Sequence, residues 1–303
     1  MADLKQIIRR RRREDAVFKV LGIACLVLCL GTLGALIVDL CIDGLRRIEW
    51  QFLTSFPSRF AQRAGILSAI TGTFAVMLVT LLAAVPIGVA AGIYLEEYGR
   101  KKSWFSDLIE LNIANLAGVP SIVYGLMALG LFVYQFKLGQ SVLAAGLTLG
   151  ILVLPIVIVA TREALRAIPA NIREAAVALG ATRWQTVRDH LLPYSMGGIA
   201  TGVIIAMSRA IGETAPLVTI GALTFIAFLP PAPVTGDFPF VSFEWLQSPF
   251  TVMPIQMFNW VSRPTADFHV NAAATGLVLI FMTLGMNAAA IILRYRIRKR
   301  IKW

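Results

Sequence analysis

Long apolar runs dominate this sequence and constrain its fold more than any other feature. Several of them exceed the roughly 20 residues that a helix needs to cross the hydrocarbon core of a bilayer. The chain of 303 residues is 57% hydrophobic and only 15% charged, with a mean hydropathy of +0.75. A soluble domain of this length carries more charge, so the pattern predicts an all-α polytopic membrane protein with six transmembrane helices. The predicted spans are residues 16–40, 68–94, 113–136, 141–161, 194–228 and 271–293.

The basic residues indicate how the chain is oriented in the membrane. There are 28 lysines and arginines, and the formal net charge is +11. Such a charge can indicate nucleic-acid binding, but most of these residues cluster at ends of apolar runs that would lie on one side of the membrane. Because cytoplasmic loops carry this kind of excess, both termini are predicted to be cytoplasmic. The first apolar run is too long for a signal peptide, which favours an uncleaved first helix.

A polar stretch between two apolar runs, residues 169–193, carries its own folding signals. Pro169 bars helix before it, and Asn171 can cap a helix with Glu174 in position to reach back. Gly180 supplies a left-handed stop, so the first helix spans only about two turns. The middle of this helix has small side chains that would let another protein approach the backbone. They are Ala175, Ala176 and Ala178.

A second short helix is expected to follow the glycine. Thr182 can cap it, with Gln185 in the capping-box position, and Pro193 is expected to end it. The stretch therefore predicts two short helices around a glycine corner just outside the membrane. This arrangement suits the docking of another protein, and an ordinary connecting loop is the alternative.

Arg209 and Glu213 are the only charges deep inside an apolar run. At a spacing of four residues they would share a helix face, about 22 Å along the fifth predicted helix. A charge buried there is costly unless it is paired or faces water, so the pair is a candidate pathway site. The alternative is a structural ion pair that only fixes helix packing.

The third apolar run also contains polar groups. Pro120 would interrupt a backbone hydrogen bond there, and Ser121 and Tyr124 lie close to the interruption. We include both residues, together with Thr214 beside the charged pair, in the candidate substrate pathway.

Signals for catalysis or for a bound cofactor are absent from the sequence. No glycine-rich phosphate loop occurs, so the chain is not expected to bind ATP by itself. His190 and His269 lie in separate loops, which leaves no basis for a metal site. The three cysteines lie in or beside the first run, and a disulfide framework is not expected. We therefore expect neither an enzyme nor a cofactor.

Several motifs resemble those of a known family. REAAVALGATRW at 173–184, with nine residues between its glycine and HLLP at 190–193, is similar to the EAA loop of permease subunits in ABC importers. One position differs, because that family usually has isoleucine where His190 stands. Three further motifs resemble signatures of phosphate-importer permeases of the PstA type. They are RAIGETAPL at 209–217, LAGVPSIVYGL at 116–126 and GIYLEEYGRK at 92–101.

The resemblance implies a type I ABC importer permease fold in the cell inner membrane, with a cytoplasmic coupling helix in the EAA loop. It implies a sister permease of the PstC type, a cytoplasmic ATPase dimer of the PstB type and a periplasmic phosphate-binding protein of the PstS type. No nucleic-acid partner is expected. The expected ATPase-coupling residues are Asn171, Glu174, Ala175, Ala176, Gly180, Leu192 and Pro193. The expected substrate-pathway residues are Arg209, Glu213, Thr214, Ser121 and Tyr124.

On this interpretation the chain divides into four parts. The permease core, 68–293, contains five of the transmembrane helices, the coupling loop 162–193 and the outer loop 229–269. The other parts are a basic cytoplasmic N-terminus at 1–15, the first transmembrane helix with an outer interfacial segment at 16–67, and a basic cytoplasmic tail at 294–303.

The leading hypothesis is the permease subunit of an ATP-driven phosphate importer. One alternative is an ABC importer permease for another oxyanion, because a permease sequence says little about which anion the binding protein selects. A secondary anion transporter is a second alternative, against which the docking loop and the lack of an inverted repeat argue. A membrane enzyme is a third, and it lacks any catalytic constellation.

Overall fold

A computed structural model describes residues 2–99, 104–233 and 242–300, and within these ranges the chain forms helices and no strand. Three π-helical turns extend or join helices: Tyr94–Tyr98 after α3, Leu129–Gln135 after α5 and Thr186–Leu191 between α8 and α9. The helices are α1 Ala2–Gly44, α2 Trp50–Thr54, α3 Leu67–Ile93, α4 Trp104–Ala117, α5 Ser121–Ala128, α6 Val142–Arg166, α7 Ala170–Ala178, α8 Arg183–Gln185, α9 Leu192–Gly212, α10 Ala215–Thr219, α11 Met253–Val261 and α12 Ala266–Arg300.

Five stretches of the described chain are long and apolar enough to cross a membrane. The predicted count of six is therefore not confirmed, although the first, second, fourth, fifth and sixth apolar runs each contribute one spanning helix. The basic triplet 100–102 and residues 301–303 of the predicted tail lie outside the described residues. The five stretches are Arg11–Arg47, Leu67–Tyr98, Val142–Arg166, Arg183–Gly212 and Ala266–Arg296.

The prediction of one continuous helix over the third run, 113–136, is wrong. α4 ends at Ala117, and a shorter apolar helix, Ser121–Gln135, begins after Pro120. Proline has no N–H to donate and disfavours helical backbone in the residue before it. At the end of α4 the Gly118 N–H donates to the Asn115 carbonyl at 3.0 Å. This bond joins residues three positions apart, as in a 3₁₀ turn.

The fifth run also differs from the prediction, because its helix ends at Gly212 and does not continue to 228. Pro216 has no N–H for the carbonyl of Gly212 four residues earlier, so the helix cannot pass through this point unbroken. Glu213 takes an extended backbone as the C-cap of α9, and the short α10 follows from Ala215. Glu213 therefore lies just beyond the helix that carries Arg209.

Pro193 does not end the second loop helix, contrary to the prediction. Helical backbone continues from Arg183 through a π-helical turn into α9, with Pro193 near the start of α9. The π-helical turn directly before the proline changes the hydrogen-bond register, which is one way in which a helix accommodates proline. The second half of the loop, from Arg183 onward, and the fifth span thus form one continuous helical rod.

Close glycine contacts hold α3, α6 and α9 together. Gly88 and Gly92 of α3 lie one turn apart. A Cβ atom added to Gly88 would lie 2.7 Å from Val157 of α6, and one added to Gly92 would lie 2.6 Å from Thr161 of α6. Small residues at a spacing of four allow this close approach of helix backbones in membranes. Gly198 and Gly202 of α9 approach α6 in the same way, and Gly146 of α6 approaches α3, whereas a Cβ at Gly150 would lie at an ordinary contact distance of 3.5 Å from Ala83.

The predicted outer loop 229–269 is partly a folded element. α11 lies within it and packs against α3 and α12, and Trp260 on α11 is fully buried. Phe52, from the segment predicted to be interfacial, is also fully buried, with its ring centroid 6.0 Å from that of Trp260. Residues 234–241 of this loop lie outside the described residues. The loop is shorter than predicted, because α12 begins at Ala266.

Candidate coupling and pathway sites

The predicted coupling helix, α7, begins two residues earlier than its sequence predicts. Pro169 is the N-cap, Asn171 lies inside the first turn, and no side chain caps this end. The predicted capping by Asn171, with Glu174 reaching back, is therefore wrong. Pro169 has an extended ψ of 140° that already leads the chain into the helix. Asn171 and Glu174 are both exposed instead.

The glycine corner and the second cap are confirmed. Gly180 has a φ of +85°, the left-handed conformation that stops α7. The Thr182 side chain accepts a hydrogen bond from the Gln185 N–H at 3.3 Å, and the Gln185 side chain accepts one from the Thr182 N–H at 2.8 Å. This reciprocal pair is the predicted capping box.

The exposed surface around the corner differs from the expected alanine face. Ala176 is only 6% exposed and faces the chain itself, whereas Ala175 and Ala178 are exposed. Three large apolar side chains lie open near the corner, and we name them the coupling ridge: Val177 at 57%, Leu179 at 89% and Trp184 at 58% exposed. The sequence analysis missed this ridge, although apolar residues inside a polar loop were a usable signal. Leu192 and Pro193, also assigned to coupling, are half-buried at the start of α9.

An ion-pair network fastens the coupling loop to the end of α3. Arg173 on α7 pairs with Glu97, with 2.7 Å between Nη2 and Oε1. Arg166 donates to Glu96 at 3.1 Å, and Arg162 lies 3.5 Å from the same Glu96 oxygen. The two carboxylates are thus shared among three arginines from α6 and α7. The sequence analysis did not predict this network.

The network extends to α4, and a small apolar cluster adds to the contacts of the loop. Arg162 also pairs with Glu110 of α4 at 3.1 Å. Leu165 and Ile168 pack with Val187 and Leu191 of the π-helical turn. The predicted coupling loop is therefore held in two ways, by ion pairs to the end of α3 and by apolar packing between its two ends.

The charged pair of the predicted pathway forms at the end of α9. The Nε atom of Arg209 lies 3.2 Å from Oε1 of Glu213, and the two side chains are 48% and 17% exposed. Thr214 follows directly and is half-buried. No partner for the two Nη groups of Arg209 is found among the described residues.

Tyr124 lies near this end of α9 and has a structural contact of its own. Its hydroxyl donates to the Leu116 carbonyl at 2.7 Å, across the break that Pro120 creates. Its ring belongs to the same buried cluster as Ala210 and Ile211, the neighbours of Arg209 on α9. Ser121, at the start of α5, is half-buried.

An open and mostly apolar groove of about 630 Å³ runs beside Thr214. α5, α10, α11 and α12 each contribute to its lining, together with Gly212 at the end of α9. Within the described residues, no three His, Cys, Asp or Glu side chains are placed to hold a metal ion.

These features define a polytopic helical membrane protein with a capped polar loop that leads directly into a spanning helix. Residues 84–303 match the family described as binding-protein-dependent transport system inner membrane component. The chain therefore belongs to this family of multi-pass inner membrane proteins, whose members are transport components and not enzymes.

Relatives with similar sequences include permeases from several bacteria. The chain is 30% identical over 295 residues to the phosphate transport system permease protein PstA of Xylella fastidiosa, with 97% of each chain covered. It is 31% identical to PstA of Yersinia pestis, with 89% of this chain and 86% of that one covered. A probable ABC transporter permease protein of Bacillus subtilis, YqgI, is 33% identical over 65% of this chain and 68% of its own length.

A solved structure supports the fold. A chain of the MetNI methionine ABC transporter in an inward-facing conformation superposes with a TM-score of 0.59 at 16% sequence identity, covering 77% of this chain and 97% of that one. The type I ABC importer permease fold expected from the sequence is thereby confirmed.

Proposed function

We propose that this chain is the transmembrane permease subunit of an ATP-driven phosphate importer. The observation that carries the proposal is the similarity to phosphate transport system permease proteins over 97% of both chains. In this proposal the chain supplies half of the translocation pathway. A sister permease supplies the other half, and a separate ATPase dimer and a periplasmic phosphate-binding protein complete the importer.

The coupling loop supports docking to the ATPase. An exposed leucine or tryptophan in a polar loop is unfavourable in water unless a partner covers it, and contiguous exposed apolar residues often mark an interaction site. The coupling ridge places Val177, Leu179 and Trp184 around a corner that Gly180 fixes. We assign this surface to the ATPase, which puts the loop and both chain termini on the cytoplasmic side.

The Arg209–Glu213 pair supports anion transfer. A guanidinium offers a planar set of donors that matches phosphate oxygens and stays charged in nearly any environment. Glu213 occupies only the Nε side of Arg209, which leaves the Nη donors for an anion. The carboxylate pairs with the arginine when the pathway is empty and competes with the anion when it is full. Ser121, Tyr124 and Thr214 would line the same pathway.

The single chain leaves the pathway incomplete. Arg209 is 48% exposed on this chain alone, so one wall of a pathway is present and the facing wall is missing. The apolar groove beside Thr214 offers a surface for the sister permease. We keep the division of the chain into four parts, with boundaries after residues 15, 67 and 293. In this assignment the binding protein docks on the outer segments.

The experiment that tests the proposal measures phosphate uptake in cells that lack only this chain. We expect loss of high-affinity uptake of radiolabelled phosphate and its recovery on re-expression. Competition with excess sulfate, molybdate or arsenate tests the anion, and phosphate and its close analogue arsenate should compete. Unchanged phosphate uptake in the deleted cells would contradict the proposal, and selective loss of sulfate or molybdate uptake would assign another oxyanion.

A further inference from the structure

The network between α3 and the coupling loop has a direct consequence for transport. We propose that Glu97 is a positioning residue that makes the coupling helix α7 and α3 move together, so that movement driven by the ATPase reaches α3 as well as the directly connected α6 and α9. The proposal rests on the proposed coupling function. It adds a second route of force transmission through a side-chain contact.

Arg173 joins three elements through one guanidinium. Its Nε atom donates to both Glu97 oxygens, at 3.1 and 3.3 Å, and its Nη2 donates to Oε1 at 2.7 Å. The same side chain donates to the Leu165 carbonyl through Nη2 and to the Ile168 carbonyl through Nη1, each at 2.8 Å. Those carbonyls belong to the end of α6 and the residues after it. A displacement of α7 therefore breaks these bonds unless α3 and α6 follow.

The burial of the Glu97–Arg173 pair distinguishes it from an ordinary surface ion pair. The side chains of Glu97 and Arg173 are 13% and 26% exposed, whereas those of Asp189 and Arg188, a pair in the π-helical turn nearby, are 44% and 60% exposed. Exposed pairs contribute little, because water and salt screen them. Removal of one partner from a shielded, multiply bonded pair leaves the other charge poorly solvated. The Glu97 contact is therefore strong enough to transmit a displacement.

Because α3 is closely packed, a displacement at Glu97 moves the helix instead of deforming it only near Glu97. Gly92, four residues or about one helical turn before Glu96, packs directly on Thr161 of α6. Glu96, beside Glu97, is shared by Arg162 and Arg166 at the end of α6. Close-packed helices transmit strain because the interior has few voids in which to deform. The ends of α3 and α6 thus form one unit, which Arg173 ties to α7.

The test compares Glu97→Gln and Arg173→Gln with the matched control Asp189→Asn in the assembled importer in proteoliposomes. Three quantities are measured: the amount of co-purified ATPase, the rate of ATP hydrolysis and the phosphate transported per ATP hydrolysed. We expect normal ATPase content for all variants. Transport per ATP should fall roughly 5-fold or more for the first two variants, the lower range of a coupling free energy, and should stay at the wild-type value for the control.

A rescue variant separates coupling from local stability. Glu97→Cys and Arg173→Cys are combined in a background without the three native cysteines, and the two thiols are joined by a flexible bifunctional crosslinker. Joining them should restore transport per ATP. Wild-type transport by Glu97→Gln, loss of the ATPase from that complex, or failure of the crosslink to restore transport would each overturn the inference. Absence of phosphate uptake by the wild-type complex would instead overturn the proposed function.

Discussion

Replacement of Gly198 by alanine tests the close packing of α6 and α9 that supports this fold. A Cβ atom at Gly198 would lie 2.6 Å from the Cβ of Ala164, whereas the neighbouring Gly197 has no atom within 4 Å of the same position. Carbon atoms in contact normally lie about 3.5–4.0 Å apart, so Gly198→Ala requires the two helices to separate by about 1 Å. Overpacking of this kind costs about 1–3 kcal/mol.

The matched variant Gly197→Ala removes the effect of helix propensity from the comparison. Alanine is favoured over glycine in a helix by about 1 kcal/mol, and both substitutions gain this term. Gly198→Ala should therefore be less stable than Gly197→Ala by about 1–3 kcal/mol, the overpacking cost alone. The measurement is the thermal unfolding midpoint of the purified subunit in detergent. A midpoint of Gly198→Ala equal to or above that of Gly197→Ala would refute the close-packing argument.

Four further substitutions test other parts of the structure. Arg209→Gln and Glu213→Gln should each abolish phosphate uptake while complex yield stays normal; loss of the complex, with yield and uptake restored in the double variant, would show that the pair only packs helices. Gly180→Val places a β-branched residue at a φ of +85°, which costs roughly 1–2 kcal/mol, and should lower the amount of co-purified ATPase; normal amounts would contradict the docking role of the corner. Trp260→Ala removes a fully buried ring packed on Phe52 and should lower stability by about 3–5 kcal/mol, measured by thermal unfolding; an unchanged midpoint would show that this outer cluster carries little stability.

Local signals in the sequence predicted the coupling loop well. The left-handed corner at Gly180 and the capping box of Thr182 and Gln185 both form, because each depends only on residues a few positions apart. The apolar runs likewise predicted the five long helices, since their length alone decides whether they can span a bilayer.

The prolines were less predictable because their effect depends on the surrounding backbone. Pro120 and Pro216 interrupt helices as the chemistry of proline suggests, yet Pro193 lies inside a helix because a π-helical turn precedes it. No local signal in the sequence around Pro193 predicts the π-helical turn. Predictions of helix ends from proline alone therefore failed at this one position and underestimated the breaks at the other two.

Contacts between distant segments lay beyond sequence reasoning. Glu97 and Arg173 are 76 positions apart, and the sequence shows only that acidic residues follow the second apolar run and that arginines occur in the loop. Ala176 was expected to face a partner because of its size, and its burial became visible only once the packing of α7 on the neighbouring turn was known.

Reconstitution of purified components tests the central claim most directly. Proteoliposomes containing this chain, its sister permease and the ATPase, with binding protein on the outer side and ATP inside, should accumulate labelled phosphate. Vesicles that lack this chain, or that contain this chain alone, should accumulate none. Equal uptake without this chain, or uptake by the chain alone driven by an ion gradient without ATP, would contradict the assignment of this protein as the permease subunit of an ATP-driven importer.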